Sequence, residues 1–306
     1  MKIDSRLSIK IIARRCPYIE SGDLKIFQAV ARKRSISKAA ESLHYVQSNV
    51  TNRIQQLERQ LQTQLFYRTN RGMTLTPAGE NLLKDADRIL QLLHEAQKTA
   101  QEAGDPNGPL RIGSLETAAA VHLPQFFTEY CSRYPKVQLS LSTGDTHTLV
   151  QRVLHYELDG AFVYGPVEYE DLEQDAVFQE ELVLVSNKRE GSLQDLLREP
   201  ILYFAAGCSH RRKIKNILKE EAVPAHKIIE FGTLEAIIGA VQAGMGVSFL
   251  PASAVRYFQN RKNLFLHELP EHFRNMNISF IYRSDLFLTS AFEELLNGLK
   301  TLSNGK

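Results

Sequence analysis

A chain of 306 residues that is 43% hydrophobic and 24% charged carries enough apolar material for two or three folded units, which excludes a disordered or fibrous protein. Its net charge of +2 conceals a division. Up to Ala100 there are 17 Lys+Arg against 9 Asp+Glu, and beyond it 20 against 26, so a basic third precedes an acidic remainder and only the first is expected to meet a polyanion.

Cys16, Cys131 and Cys208 show no CxxC spacing and no histidine ladder, which speaks against a disulfide framework or a metal site and for a reducing compartment. Residues 1–20 form a basic surplus in which Lys2, Arg6, Lys10, Arg14 and Arg15 interrupt any apolar run. They are read as a disordered extension, either an arm that touches nucleic acid or a misassigned start. The longest apolar tract, residues 236–255, is broken by Gln242, three glycines and Pro251, so no membrane span is expected and the protein is placed in the cytoplasm.

Patterned structure begins at Leu24, where Leu24, Phe27, Val30 and Ala31 recur at helical spacing until Arg34-Ser35. Ser37 offers an N-cap for a short second helix whose small pair, Ala39-Ala40, lets a neighbour approach closely. After the turn His44-Tyr45-Val46, a third helix opens at Gln47 and buries Val50, Ile54, Leu57 and Leu61. Its other face is Gln47, Ser48, Asn49, Thr51, Asn52, Arg53 and Gln56. These side chains are short or forked hydrogen-bonders suited to base edges and phosphates, whereas an ordinary solvated helix face favours Glu and Lys. Two short extended runs around Asn70-Arg71-Gly72 then read as a wing, with Arg68 and Arg71 placed for phosphate, and Thr76-Pro77 starts the next helix.

The stretch Leu24–Leu83 resembles the amino-terminal signature of LysR-type transcriptional regulators. The matching residues are Ser37 with Ala39-Ala40, Gln47-Ser48, Ile54, Leu57-Glu58, Leu65-Phe66, Arg68 and Leu75-Thr76-Pro77-Ala78-Gly79, and their fixed spacing makes the resemblance specific. Asn49 departs from a usual proline or small residue, and Thr51 from a frequent serine; both bear on which bases are read. The resemblance implies a winged helix-turn-helix domain over residues 21–76 with Ser37, Gln47, Ser48, Asn49, Thr51, Asn52, Arg53, Arg68 and Arg71 at the DNA.

Residues 77–103 form one helix with a heptad stripe of Leu82, Ala86, Ile89, Leu93 and Ala96. At roughly 40 Å it is longer than a small winged domain can cover, so pairing with a second copy is expected. Residues 104–109, Gly-Asp-Pro-Asn-Gly-Pro, make a hinge. Strands and helices alternate beyond it: Leu110–Gly113, Pro124–Tyr134, Val137–Thr143, Gly160–Val163, Leu182–Ser186, Ile201–Phe204, a helix from His210, Leu234–Ala243, Val247–Leu250, a run Leu264–Tyr282, and a helix Ser290–Leu302. This α/β segment is similar to the effector domain of the same family, which has a two-lobed periplasmic-binding-protein architecture; Leu158-Asp159-Gly160-Ala161 and Ala243-Gly244-Met245-Gly246-Val247 carry that likeness more loosely. Lobe I is expected over about residues 110–181 and 264–306, lobe II over about 182–263. The fold class is thus a two-part chain, a winged helix-turn-helix domain and an α/β effector domain, joined by a linker helix.

Ligands in open α/β sheets settle beyond the carboxyl ends of strands, which selects Ser114, Glu116, Thr117, Gly144, Ser209 and Thr233 for a small-molecule effector. Helix capping is the plain alternative for the hydroxyl residues. Glu116 either faces the cleft, where it would favour an amine or polyhydroxyl ligand, or caps a helix. The basic run His210–Lys213 with Lys215 and Lys219 reads as a solvated helix face, and Cys208 lacks a nearby resolving thiol in sequence. No P-loop, GxSxG or HExxH is present, so neither catalysis nor a cofactor is expected. The function expected is a homodimeric or homotetrameric regulator that binds an interrupted inverted repeat near a promoter, meets RNA polymerase, and responds to an effector. A solute-binding protein would leave the basic domain idle, and an architectural DNA-binding protein would waste the cleft.

Overall fold

The computed structural model describes residues 19–69, 72–101, 105–204, 211–221, 223, 227–258 and 263–304, in two units that meet in sequence at His94 and Glu95. The extension before residue 19, Cys16, Arg71, Cys208, Ser209 and His210 lie outside them.

In the first unit the helices α1 (Ser21–Lys33), α2 (Ile36–Ser42) and α3 (Gln47–Leu61) precede the strands β1 (Phe66–Thr69) and β2 (Gly72–Leu75) and the helix α4 (Pro77–Gln101). Each helical turn ends on a left-handed residue, Arg34 after α1, His44 before α3 and Gln62 after it. The helix stripes close on one core that includes Phe27, Val30, Ala39, Val50, Ile54, Leu57 and Leu65. Burying each large side chain among these is worth roughly 1.5–3 kcal/mol. Ser35, not Ser37, caps α2: its Oγ accepts from the Lys38 N–H, because Ser35 holds the extended backbone that a cap requires.

The wing is an antiparallel pair in the register Phe66↔Leu75 to Thr69↔Gly72. Gly72, at φ +122°, sits where a Cβ would lie 2.6 Å from the Arg34 carbonyl oxygen, so the turn tolerates no side chain there. Glu58 fixes the strand's entry by accepting from the backbone N–H groups of Leu65 and Phe66 at 2.9 and 3.3 Å. Thr76 does the same for α4: its Oγ1 accepts from Gly79 N–H and donates to the Gln64 carbonyl. These contacts explain why Glu58 and Thr76-Pro77 belong to the sequence signature.

The heptad stripe of α4 divides. Ala86 is buried in the winged core and Leu82 packs against it, together with Leu83 and Leu90, so these two members of the expected dimer seam serve the chain's own unit. Asp87, on the same side, accepts from Gln28 at 2.6 Å and Arg32 at 3.0 Å. Ile89, Leu92 and Leu93 are exposed instead. A spacing of three and four residues marks an apolar stripe but does not say which partner covers it.

The second unit runs β3 (Gly108–Ser114), α5 (Glu116–Val121), α6 (Leu123–Arg133), β4 (Val137–Thr143), α7 (Thr146–Leu154), β5 (Gly160–Gly165), β6 (Leu172–Ser186) and α8 (Leu193–Leu196). It continues with β7 (Ile201–Phe204), α9 (Arg211–Glu220), β8 (Ile228–Phe231), α10 (Leu234–Gln242), β9 (Val247–Pro251), α11 (Ala252–Tyr257), β10 (Phe265–Glu268), α12 (Glu271–Arg274), β11 (Asn275–Arg283) and α13 (Ser290–Asn304). The strand order is β4-β3-β5-β11-β6-β9-β7-β8, with β10 also paired to β6.

Two lobes share the 15-residue strand β6. Its residues up to Glu181 pair with β11, and those from Leu182 pair with β9 and β10. β10 therefore belongs to the second lobe, and Leu269, Phe273 and Met276 pack in that lobe's core. The return to the first lobe falls at Asn275–Met276, opposite Glu180 and Glu181, rather than ahead of Leu264. The first lobe's core holds Phe127, Phe162, Phe280, Phe292 and Leu295, so α13 does close it.

Candidate functional site

The outer face of α3 is built as its spacing predicts. Gln47, Ser48, Asn49, Asn52 and Gln56 are exposed while Val50, Ile54 and Leu57 are buried one face away. Ser37 Oγ donates to Gln47 Oε1 at 3.0 Å, so the hydroxyl orients the carboxamide and leaves its NH2 to donate outward. The Thr51 hydroxyl is directed back to the Gln47 carbonyl at 2.9 Å. Arg68, about half exposed on β1, keeps its guanidinium 3.7 Å from Glu58.

Arg53 departs from expectation. Its Nε lies 2.8 Å from Asp23 Oδ1 and its Nη2 3.2 Å from Glu20, so the guanidinium ties α3 to the start of α1 rather than standing open for DNA. Burial pushes the Asp23 carboxyl up from its ordinary range, with the Arg53 guanidinium opposing. Position on the helix face alone could not reveal this, because arginine reaches either way.

In the second unit, the described effector candidates fall into three separate hydrogen-bonded groups. Ser114, fully buried at the end of β3, accepts from Gly144 N–H through its carbonyl at 3.1 Å and turns its hydroxyl to the Leu115 carbonyl. Thr117 Oγ1 lies 3.1 Å from the Tyr164 hydroxyl, and Tyr164 N–H donates to Thr146 Oγ1. Thr233 N-caps α10 by accepting from Ala236 N–H. Glu116 resolves the open alternative in an unexpected way: its Oε1 accepts from Leu234 N–H at 2.9 Å, so it faces the opposite lobe and caps that lobe's helix. Tyr164 and Thr146 carry no sequence signal of their own, since it is tertiary packing that brings the end of β5 to the start of α7.

Burial raises the Glu116 carboxyl above its ordinary value, with the Leu234 hydrogen bond opposing and Glu235 reinforcing the shift. A carboxyl raised in the folded state destabilises that state while ionised, and the penalty disappears as pH falls through the raised value toward the unfolded one. Glu116→Gln is therefore expected to melt higher than wild type at pH 7, with the difference shrinking as both are acidified into the ordinary carboxylate range. Thermal unfolding across that range checks it; a difference independent of pH would contradict it.

Beside the crossover, His122 stacks on Phe178 with centroids 4.4 Å apart and pairs with Glu180, which also accepts from Ser253 Oγ. This joins the first lobe, the shared strand and α11. In the basic run, Lys213 donates to the Asn275 carbonyl while Lys215 and Lys219 are exposed, in keeping with a solvated helix face. Among the described residues no cluster of His, Cys, Asp and Glu is arranged for a metal, and no helix is long and apolar enough to cross a membrane.

Residues 21–80 match the bacterial regulatory helix-turn-helix domain of the lysR family, and residues 103–303 match the LysR substrate binding domain. The chain belongs to the LysR family of transcriptional regulators. It is 96% identical over 288 residues to the regulator YofA of Bacillus velezensis, covering 94% of this chain and 100% of that one. With GltR of Bacillus subtilis, another regulator, the identity is 46% over 90% of this chain and 95% of the relative. The fold of a LysR regulator is shared with a full-length OxyR variant of Pseudomonas aeruginosa, at TM-score 0.67 and 21% identity over 94% and 95% of the two chains. CbnR follows at 0.64 and 22%, over 93% and 99%. As a LysR family member, the chain is a DNA-binding regulator with a substrate-binding domain and not an enzyme.

Proposed function

We propose that this regulator reads a specific duplex through Gln47, Ser48, Asn49 and Asn52, with Arg68 and Arg71 on flanking phosphates, and that a small molecule binding near Ser114, Glu116, Thr117, Gly144, Ser209 and Thr233 modulates it in the cytoplasm. The carrying observation is the exposed, carboxamide-rich face of α3 beside the wing: base edges need forked donors and acceptors, and phosphates need cations, and the two occur there separately. CbnR, which shares the fold, has been solved in complex with its target DNA. Selection of the full chain against random duplexes tests this reading. One enriched sequence made of two inverted half-sites supports it, and an unselected pool contradicts it.

Two inverted half-sites require two copies, and the exposed Ile89 and Leu93, with Ala96 beyond them on α4, supply a seam once Leu82 and Ala86 are assigned to the winged core. The same assembly, as a dimer or tetramer, would present the chain to RNA polymerase. Ile89→Asp is expected to shift the full chain toward monomer in light scattering, because it places a carboxylate in an apolar seam. A wild type that is already monomeric at micromolar concentration would contradict the seam.

A further inference from the structure

Two costs coincide at one residue. Val46 stands at the N-cap of α3 with no side-chain capping hydrogen bond, where a hydroxyl or carboxamide would normally satisfy a helical N–H. It is also 68% exposed, next to Tyr45 at 50%. Among the described residues between Ile19 and Thr76, the exposed large apolar side chains are Tyr45, Val46 and Tyr67, in the turn entering α3 and on the wing strand β1. The outward positions of α1 and α2 carry Lys25, Lys33, Lys38 and Glu41 instead. Scattered apolar residues on a surface mean little, but here they are confined to the elements that flank the reading helix.

The major groove displays one apolar feature, the C5-methyl of thymine, and the amino-terminal end of a recognition helix is the part that meets base edges. We propose that Val46, with Tyr45 extending the same apolar surface, reads a thymine methyl in each half-site. This rests on the assignment of α3 as the reading helix and adds to its hydrogen-bonding face a contact that no carboxamide could make. The exposed valine gives up a cap within the free protein and is covered only when the duplex is bound.

The test uses the full chain and the duplex that it enriches from a random pool. Each thymine is replaced in turn by deoxyuridine, which removes the methyl and leaves every hydrogen-bonding group. Wild type is expected to lose about fourfold in affinity at one thymine per half-site, the worth of one buried methyl. Val46→Ser should bind the thymine and deoxyuridine forms equally and still prefer the enriched sequence, while its serine caps α3 and raises the melting temperature of the free protein. Val46→Ile should keep the methyl sensitivity. Binding by wild type that ignores deoxyuridine at every position, or a Val46→Ser variant as methyl-sensitive as wild type, would overturn the proposal and leave the α3 assignment standing. A pool from which no sequence is enriched would overturn both.

Discussion

Replacing Asp159 with alanine is expected to lower the stability of the chain by about 3 kcal/mol, the lower end of the range for breaking a buried ion pair. Asp159 is 4% exposed at its side chain, and both its oxygens are used: Oδ1 receives Arg111 Nη2 at 2.7 Å, and Oδ2 receives the Arg111 backbone N–H at 2.7 Å. The pair clips the start of β5 to β3, the strand whose far end carries Ser114. Removing the carboxylate leaves a guanidinium and an N–H without their acceptor, and water compensates only in part because the Arg111 side chain is 32% exposed. Asp159→Asn, which keeps one acceptor, should lose about half as much. The neighbouring Gly160 is fixed by a different cause, since a Cβ there would lie 2.3 Å from the Phe280 ring. Urea unfolding of the full chain checks this: the midpoint should fall with the slope unchanged, and an Asp159→Ala midpoint equal to wild type would contradict it.

At the DNA the expected effects are of two kinds. Gln47→Ala or Asn49→Ala should cost about 1–3 kcal/mol of discrimination, relaxing preference at one position per half-site while nonspecific binding persists. Arg68→Ala should weaken all duplexes alike and reduce the salt slope by about one. Gln47 should be the more sensitive, because Ser37 already orients its carboxamide and less freedom is lost on binding. Binding assays on point-substituted duplexes separate these outcomes. Equal preference in Gln47→Ala, Asn49→Ala and wild type would remove the outer face of α3 from the reading surface.

The amino-terminal unit was legible because its signals are local. Turn residues, caps and a 3.6-residue stripe lie within a few positions of one another, and α3, β1, β2 and the start of α4 fall where these place them. Side-chain destinations were less legible. Arg53 turns to Asp23, Ser37 leaves the cap to Ser35, and Ala86 meets its own core, each settled by tertiary neighbours rather than by spacing. In the second unit the first ten residues of β6 give no clear strand signal, since Leu172–Glu181 lacks a two-residue alternation, with Glu173–Ala176 exposed in a row ahead of the buried pair Val177-Phe178, and resembles a loop in composition. The runs Gly160–Val163 and Val247–Leu250, short apolar stretches bounded by glycine or proline, fall inside the observed strands Gly160–Gly165 and Val247–Pro251. The link between Glu116 and Leu234 spans 118 residues, and no local pattern reports a contact of that kind.

A chain that distinguishes one DNA sequence from the rest must show it in its specificity ratio. The affinity of the full chain for its enriched duplex and for a scrambled duplex of the same composition should be measured at several salt concentrations. Both are expected to weaken as salt rises, while the enriched duplex stays about a thousandfold tighter or more at physiological salt. Two affinities that remain within a few fold of each other at every salt concentration would contradict it.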